Sequence, residues 1–168
     1  MLVKDLPLFE DERWECIVDF PNYIITDYGR VFNLNTGREL HQFHTKGQCD
    51  KIDYLEVHLS HKSKVSRFKV HRLVAKYFVV DYKVNPDGTK MIGKHEVNHK
   101  DLNPHNNHYT NLEYCDHYYN NRHKTNSKYS HLSLDELIEL RSKQIYRSKL
   151  YNTLNSLIKC RRRYLNQI

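Results

Sequence analysis

The sequence predicts an α+β protein: an N-terminal antiparallel β-rich module over residues 1–65, a strand, loop, strand and helix core over 66–128, and a helical, basic C-terminal region over 129–168. Three observations carry this reading. Between residues 14 and 60, short runs rich in β-branched and aromatic residues alternate with turn-forming tripeptides. Two strand-like runs, Glu96-Val97-Asn98-His99 and Asn111-Leu112-Glu113-Tyr114-Cys115, flank an Asn-rich loop and lead into a helix-compatible segment. After Ser130, apolar residues recur at helical spacing behind a serine that can cap.

Taken in order, strands are expected at 15–18, 23–26 and 30–33, with Asp27-Tyr28-Gly29 as the tight turn between the last two and Asn35-Thr36-Gly37 as a second turn. Leu55, Val57 and Leu59 alternate with Glu56, His58 and Ser60, the period of a half-buried strand. His61-Lys62-Ser63-Lys64 reads as a basic loop. Residues 70–78 read as a short helix whose Leu73, Val74 and Phe78 belong to the core, with His71 a buried hydrogen-bonding residue. Asn85-Pro86-Asp87-Gly88 is a turn before the strand ending at His99, and a helix is expected from 116 to about 126. Further on, Ser133 can cap a helix that carries Asp135 and Glu136 in its first turn, where negative charge is favoured. Leu134, Leu137, Ile138 and Ile145 form its stripe, and another helix is expected around Leu154, Leu157 and Ile158.

The chain has 168 residues, enough for one compact domain or two small ones, and its 39% apolar content is low, with 13 tyrosines supplying rings that carry a polar tip. A net charge of +7 favours a polyanionic partner. From residue 131 onward, eight basic and three acidic residues give +5 of that total, whereas the first fifteen residues lean acidic. Cys16, Cys49, Cys115 and Cys160 are scattered without a Cys-x-x-Cys pair, which argues against a cysteine-based structural zinc and against a disulfide framework. No apolar run approaches the roughly 18 residues of a membrane span, and the first residues lack the pattern of a signal peptide. A soluble, intracellular protein is expected, with no membrane partner.

The core gathers polar side chains. Asn120 and His123 are three apart and share a helical face, while Asn98 and His99 are strand neighbours that point to opposite sides. Either one of that pair faces a metal while the other faces substrate, or one of them is structural. Val97, Asn98, His99, Asp101, Asn103, Asn106 and Asn107, then Asn111, Leu112 and Tyr114, then Asn120 and His123, stand at a spacing that resembles the HNH, or ββα-metal, nuclease motif of phage and intron-encoded homing endonucleases. Trp14, Tyr23, Ile25, Gly29, Val31 and Asn33 resemble the small NUMOD-like module that often precedes it, and His71-Arg72-Leu73-Val74-Ala75 is similar to a further signature of the family. The likeness spans roughly residues 14–124.

That resemblance implies a metal-dependent endonuclease acting on double-stranded DNA in the cytoplasm of a phage host. It implies His99 as general base, Asn98 and Asn120 as the pair facing a Mg²⁺ or Mn²⁺ ion, Asn111 as the residue that orients the histidine and its loop, and His123 as an additional position. Several relatives have Asp where this chain has Asn98, and a neutral amide holds a hard cation more weakly than a carboxylate. Asn103, Asn106 and Asn107 read as loop-formers.

Phosphate contacts are expected at Lys62, Lys64, Arg67 and Lys69, and in the tail at Lys159, Arg161, Arg162 and Arg163, where a solvated helix end is the equal alternative. A catalytically silent protein of the same shape, serving as a nucleic-acid-binding phage accessory factor, would carry the same basic surface, and an RNA-directed nuclease is a third reading because the metal chemistry does not distinguish the sugars. A single site per chain favours a nicking monomer, and dimerisation would convert nicking to a double-strand break.

Overall fold

A computed structural model describes residues 6–45, 53–146 and 148–165, without the side chains of 160 and 163–165. Cys49 and the side chains of Cys160 and Arg163 lie outside the described residues. The chain divides into two compact units, Met1–His117 and Tyr118–Ile168.

The first unit opens with an antiparallel sheet of β1 (Trp14–Cys16), β2 (Tyr23–Thr26), β3 (Val31–Asn33) and β4 (Arg38–Glu39), ordered β1-β2-β3-β4. All four residues of β2 are buried, because its two faces serve different cores. Tyr23 and Ile25 face the main core with Val31, Val57, Leu59, Val70, Leu73, Val74 and Leu112, whereas Ile24 packs with Phe32 and Leu6 on the other side. The expected turn at Asp27-Tyr28-Gly29 closes with Gly29 N–H donating to the Thr26 carbonyl at 3.0 Å, and Gly29 takes φ +84°. Asn33 Oδ1 accepts from the N–H groups of Asn35 and Thr36, which forms the second turn.

A second antiparallel sheet holds β5 (Phe43–Thr45), β6 (Tyr54–His61) and β7 (Lys64–Lys69). The expected basic loop is a two-residue hairpin: Lys62 and Ser63 have φ of 48° and 61°, left-handed at both central positions, and His61 pairs with Lys64. That turn matches the right-handed twist of the strands it joins. β7 was not legible as a strand because five of the nine residues from 61 to 69 are Lys, Arg or His, which hides its alternation.

Helix α1 (Val70–Phe78) then buries Val70, His71, Leu73, Val74 and Ala75. β8 (Glu96–His99) and β9 (Leu112–Cys115) form the third sheet, with Asn98 opposite Glu113 and His99 opposite Leu112. Leu112 is only 2% exposed. Truncating such a residue costs about 2–5 kcal/mol, a large share of the roughly 5–15 kcal/mol that keeps a domain folded. The start of β9, and Asn111 just before it, is thereby fixed to the main core.

Helix α2 (His117–Lys128) begins at the end of the first unit and continues in the second, followed by α3 (Leu134–Ser142) and α4 (Lys149–Leu165). Ser133 caps α3 as expected: Glu136 N–H donates to Ser133 Oγ at 3.2 Å, and Ser133 N–H donates to Glu136 Oε2 at 2.7 Å. Leu137, Leu154 and Ile158 form this unit's core. Ile145 lies beyond the end of α3 and is 84% exposed, since the apolar stripe fails at Arg141. Among the described residues no helix is long and apolar enough to cross a membrane.

Candidate active site

The first unit brings Asn98, His99 and Asn111 together around the loop between β8 and β9. Asn98 and His99 are 2% and 6% exposed, and each meets different partners. Asn98 donates from Nδ2 to Glu113 Oε1 at 2.8 Å across the sheet, which turns its carbonyl oxygen, the only atom of the amide that can ligate a cation, away from Glu113. His99 Nε2 meets Asn107 Oδ1 at 3.1 Å. An amide oxygen only accepts, so the proton of the neutral ring sits on Nε2 and the basic lone pair on Nδ1.

Asn107 was expected to be a loop-former, yet it is buried and holds this histidine. What gives it room is Gly29: a Cβ there would stand 2.8 Å from Asn107 Cβ. The turn of the first sheet is further tied to the loop by Tyr109 N–H donating to the Asp27 carbonyl at 2.8 Å and by Tyr28 against His108, ring centroids 4.5 Å apart. Spacing alone could not separate Asn107 from Asn106, because its neighbour lies far upstream in sequence.

Asp101 and Asn111 staple the loop itself. Asn111 Nδ2 donates to Asp101 Oδ1 at 2.9 Å and to the Asn106 carbonyl at 2.8 Å, and its Oδ1 accepts from Asp101 N–H at 3.1 Å. Asn106 Nδ2 donates to Asp101 Oδ2 at 2.7 Å and Asn103 N–H to Asp101 Oδ1 at 2.8 Å. Burial pushes the Asp101 carboxyl up, but the bonds from Asn106, Asn103 and Asn111, with the charge of His99, hold it below the usual carboxylate range. The loop therefore keeps an ionised anchor.

Behind His99 sits an aromatic wall. His71 lies edge-on at 5.1 Å and Tyr54 is stacked at 6.0 Å, with Tyr54 and His71 themselves 4.5 Å apart. His71 is buried, but its Nδ1 has no hydrogen-bond partner among the described residues, so the expected hydrogen-bonding role is not seen at that atom. Burial foremost, then the charges of His99, Arg72 and Lys69, push its pKa from 6.5 down to about 3. The unfolded chain takes up this proton first. The stability contributed by neutral His71 is thus complete above about pH 6.5 and is lost as pH falls toward 3. His71→Leu is expected to flatten the acid loss of stability by up to about 1.4 kcal/mol per pH unit in that window. Urea unfolding of both proteins from pH 7 to pH 4 checks this, and parallel curves would refute it.

Asn120 and His123 belong to the second unit, on α2. Asn120 is buried, and His123 stacks in parallel on Tyr119 at 6.3 Å. Of the expected phosphate contacts, Lys62, Lys64 and Arg67 are exposed, while Lys69 stands 4.4 Å over the Tyr54 ring with its pKa lowered by burial and by Arg72. Arg72 and Lys76, not picked out from sequence, line the same groove as Arg67 and Lys69, and their spacing of four on α1 was the available sign. In the tail, Lys159 and Arg162 are exposed, but Arg161 Nη2 donates to the carbonyls of Tyr129 and Ser130 at 2.9 and 3.2 Å. Its cation secures the turn after α2.

No family model matches the chain. Among curated proteins it is similar to uncharacterized HNH endonuclease L247 of Acanthamoeba polyphaga mimivirus, 36% identical over 124 residues that make up 74% of this chain and 28% of the relative. A second relative from the same virus, uncharacterized HNH endonuclease L245, is 34% identical over 111 residues, 66% of this chain and 29% of that protein. The chain thus spans less than a third of either relative. Among solved structures it resembles the HNH homing endonuclease I-HmuI, described for DNA binding and cleavage, with a TM-score of 0.54 and 24% identity over 77% of this chain and 66% of that one. The match shows a shared fold.

Proposed function

The chain belongs to the HNH endonuclease family, and on that premise we propose that it is a metal-dependent DNA endonuclease that hydrolyses phosphodiester bonds. The observation that carries the reading is the setting of His99, buried with its Nε2 3.1 Å from Asn107 Oδ1; an amide oxygen accepts, so on the neutral ring Nδ1 carries the basic lone pair. A water oxygen attacks phosphorus, its proton passes to His99 Nδ1, and the bond from phosphorus to the 3′ oxygen breaks. The shared Tyr54 and His71 wall keeps the ring in place and excludes water behind it.

A hard divalent cation suits an amide oxygen such as that of Asn98, whose Nδ2 donates to Glu113. The family pattern pairs Asn98 with Asn120 as its ligands. When bound, Mg²⁺ or Mn²⁺ supplies charge stabilisation for the developing phosphorane and the departing oxygen. Asn111 acts as a positioning residue through Asp101 and Asn106, and His123 is assigned no separate chemical role.

Duplex DNA is gripped by the β6–β7 hairpin and the face of α1 next to it, through Lys62, Lys64, Arg67, Lys69 and Arg72. Each phosphate contact releases condensed counterions, so log affinity falls with log salt by about 0.9 per contact. Replacing Lys62, Lys64 and Arg67 with Gln is expected to make that slope shallower by roughly two to three. A salt titration of duplex binding tests it; superimposable slopes for the two proteins would remove the hairpin from the DNA surface. In the tail, Lys159 and Arg162 are the cations offered to phosphate, with Arg163 their neighbour in sequence.

A further inference from the structure

We propose that His44, Asp53 and His105 form a site for a divalent transition-metal ion of the zinc class, distinct from the hard cation of the cleavage reaction. One ligand atom from each lies within 4.8 Å of the other two. His44 Nδ1 stands 2.6 Å from Asp53 Oδ2, His105 Nε2 stands 3.6 Å from the same oxygen, and the two imidazole rings meet edge to face at 5.1 Å.

The fold delivers these donors from two separately fixed segments. His44 pairs with Leu55 in the β5–β6 ladder, and Asp53, two residues before Leu55, lies on the same side of the hairpin. Thr45 Oγ1 donates to the Tyr54 carbonyl at 3.0 Å and accepts from Tyr54 N–H at 3.1 Å, which locks that end of the ladder. His105 comes from the stapled loop, its N–H donating to Asn103 Oδ1 at 3.1 Å.

Two imidazoles and one carboxylate select a borderline ion such as Zn²⁺ or Co²⁺ over Mg²⁺, which prefers oxygen ligands alone. Around a tetrahedral ion with bonds of about 2.0–2.2 Å, neighbouring donors stand about 3.3 Å apart. The present separations of 2.6 and 3.6 Å bracket that value, so small side-chain rotations suffice. Side-chain exposures of 60%, 47% and 42% leave an entry path and room for water in the remaining position. A bound ion would fasten the β5–β6 hairpin to the loop at His105, two residues before the Asn107 that holds His99.

The test uses the full chain stripped of metal and titrated with Co²⁺, then with Zn²⁺. One saturable equivalent of Co²⁺ with visible d–d absorption, displaced by Zn²⁺, is expected, together with a melting temperature that rises with Zn²⁺ concentration. His44→Ala and His105→Ala should each weaken Zn²⁺ binding roughly tenfold or more while melting like the metal-free wild type, because both side chains are exposed. Asn98→Ala should leave Zn²⁺ affinity unchanged, which separates this ion from the catalytic one. Absence of saturable binding, or binding that is indifferent to both histidine variants, would overturn the site and leave a surface hydrogen bond.

Discussion

His99→Ala is expected to lower DNA cleavage by about 10²- to 10⁴-fold, the usual contribution of a positioned general base, with duplex affinity nearly unchanged. The separation follows from where the charges lie. His99 is buried between Tyr54, His71 and Asn107, whereas the proposed phosphate contacts belong to the exposed β6–β7 hairpin and to α1. Cleavage kinetics and equilibrium binding on the same duplex check it. Parallel loss of binding would make His99 a structural residue of the core.

Asn111→Ala should have the next largest effect. It removes both amide bonds to Asp101 and Asn106 and the acceptor for Asp101 N–H, three contacts in a partly buried loop. Each net hydrogen bond is worth about 0.5–1.5 kcal/mol, and a buried group left unsatisfied costs about 1–3 kcal/mol. A stability loss of roughly 2–4 kcal/mol is expected on that basis. Because Asn107 is carried by the same loop, cleavage per folded molecule should also fall, by roughly tenfold or more, with little change in the KM for DNA. Cleavage measured well below the melting temperature separates the two effects. Full activity per folded molecule would confine Asn111 to holding the fold.

Much of the β8–β9 architecture was legible because its motif is local. Asn98, His99 and Asn111 are joined by one strand pair and a loop of fixed length, so spacing alone placed them together. The same held for β2, a β-branched and aromatic run that stops at a turn tripeptide, for α1, whose apolar face recurs at helical spacing, and for the Ser133 cap, where a polar side chain three residues before Glu136 has a defined partner. What escaped were contacts made between distant segments. Asn107 looked like its neighbours until Gly29 was seen against it, and Glu113 gave no sign that it would fix the Asn98 amide. Arg161, counted among the tail cations, spends its guanidinium on two carbonyls more than thirty residues upstream, which no charge pattern encodes. His44 and Asp53 carried no metal-ligand spacing, since their third partner lies in another sheet's loop.

Metal-dependent cleavage of DNA at His99 is tested most directly by incubating supercoiled plasmid with the wild-type chain and with His99→Ala, each with Mg²⁺ and with EDTA, and resolving nicked from linear product. Nicked plasmid that forms only with the wild-type chain and Mg²⁺, with linear product appearing late, is the expected result. Cleavage that persists in EDTA or in His99→Ala, or intact plasmid under every condition despite tight duplex binding, would contradict it.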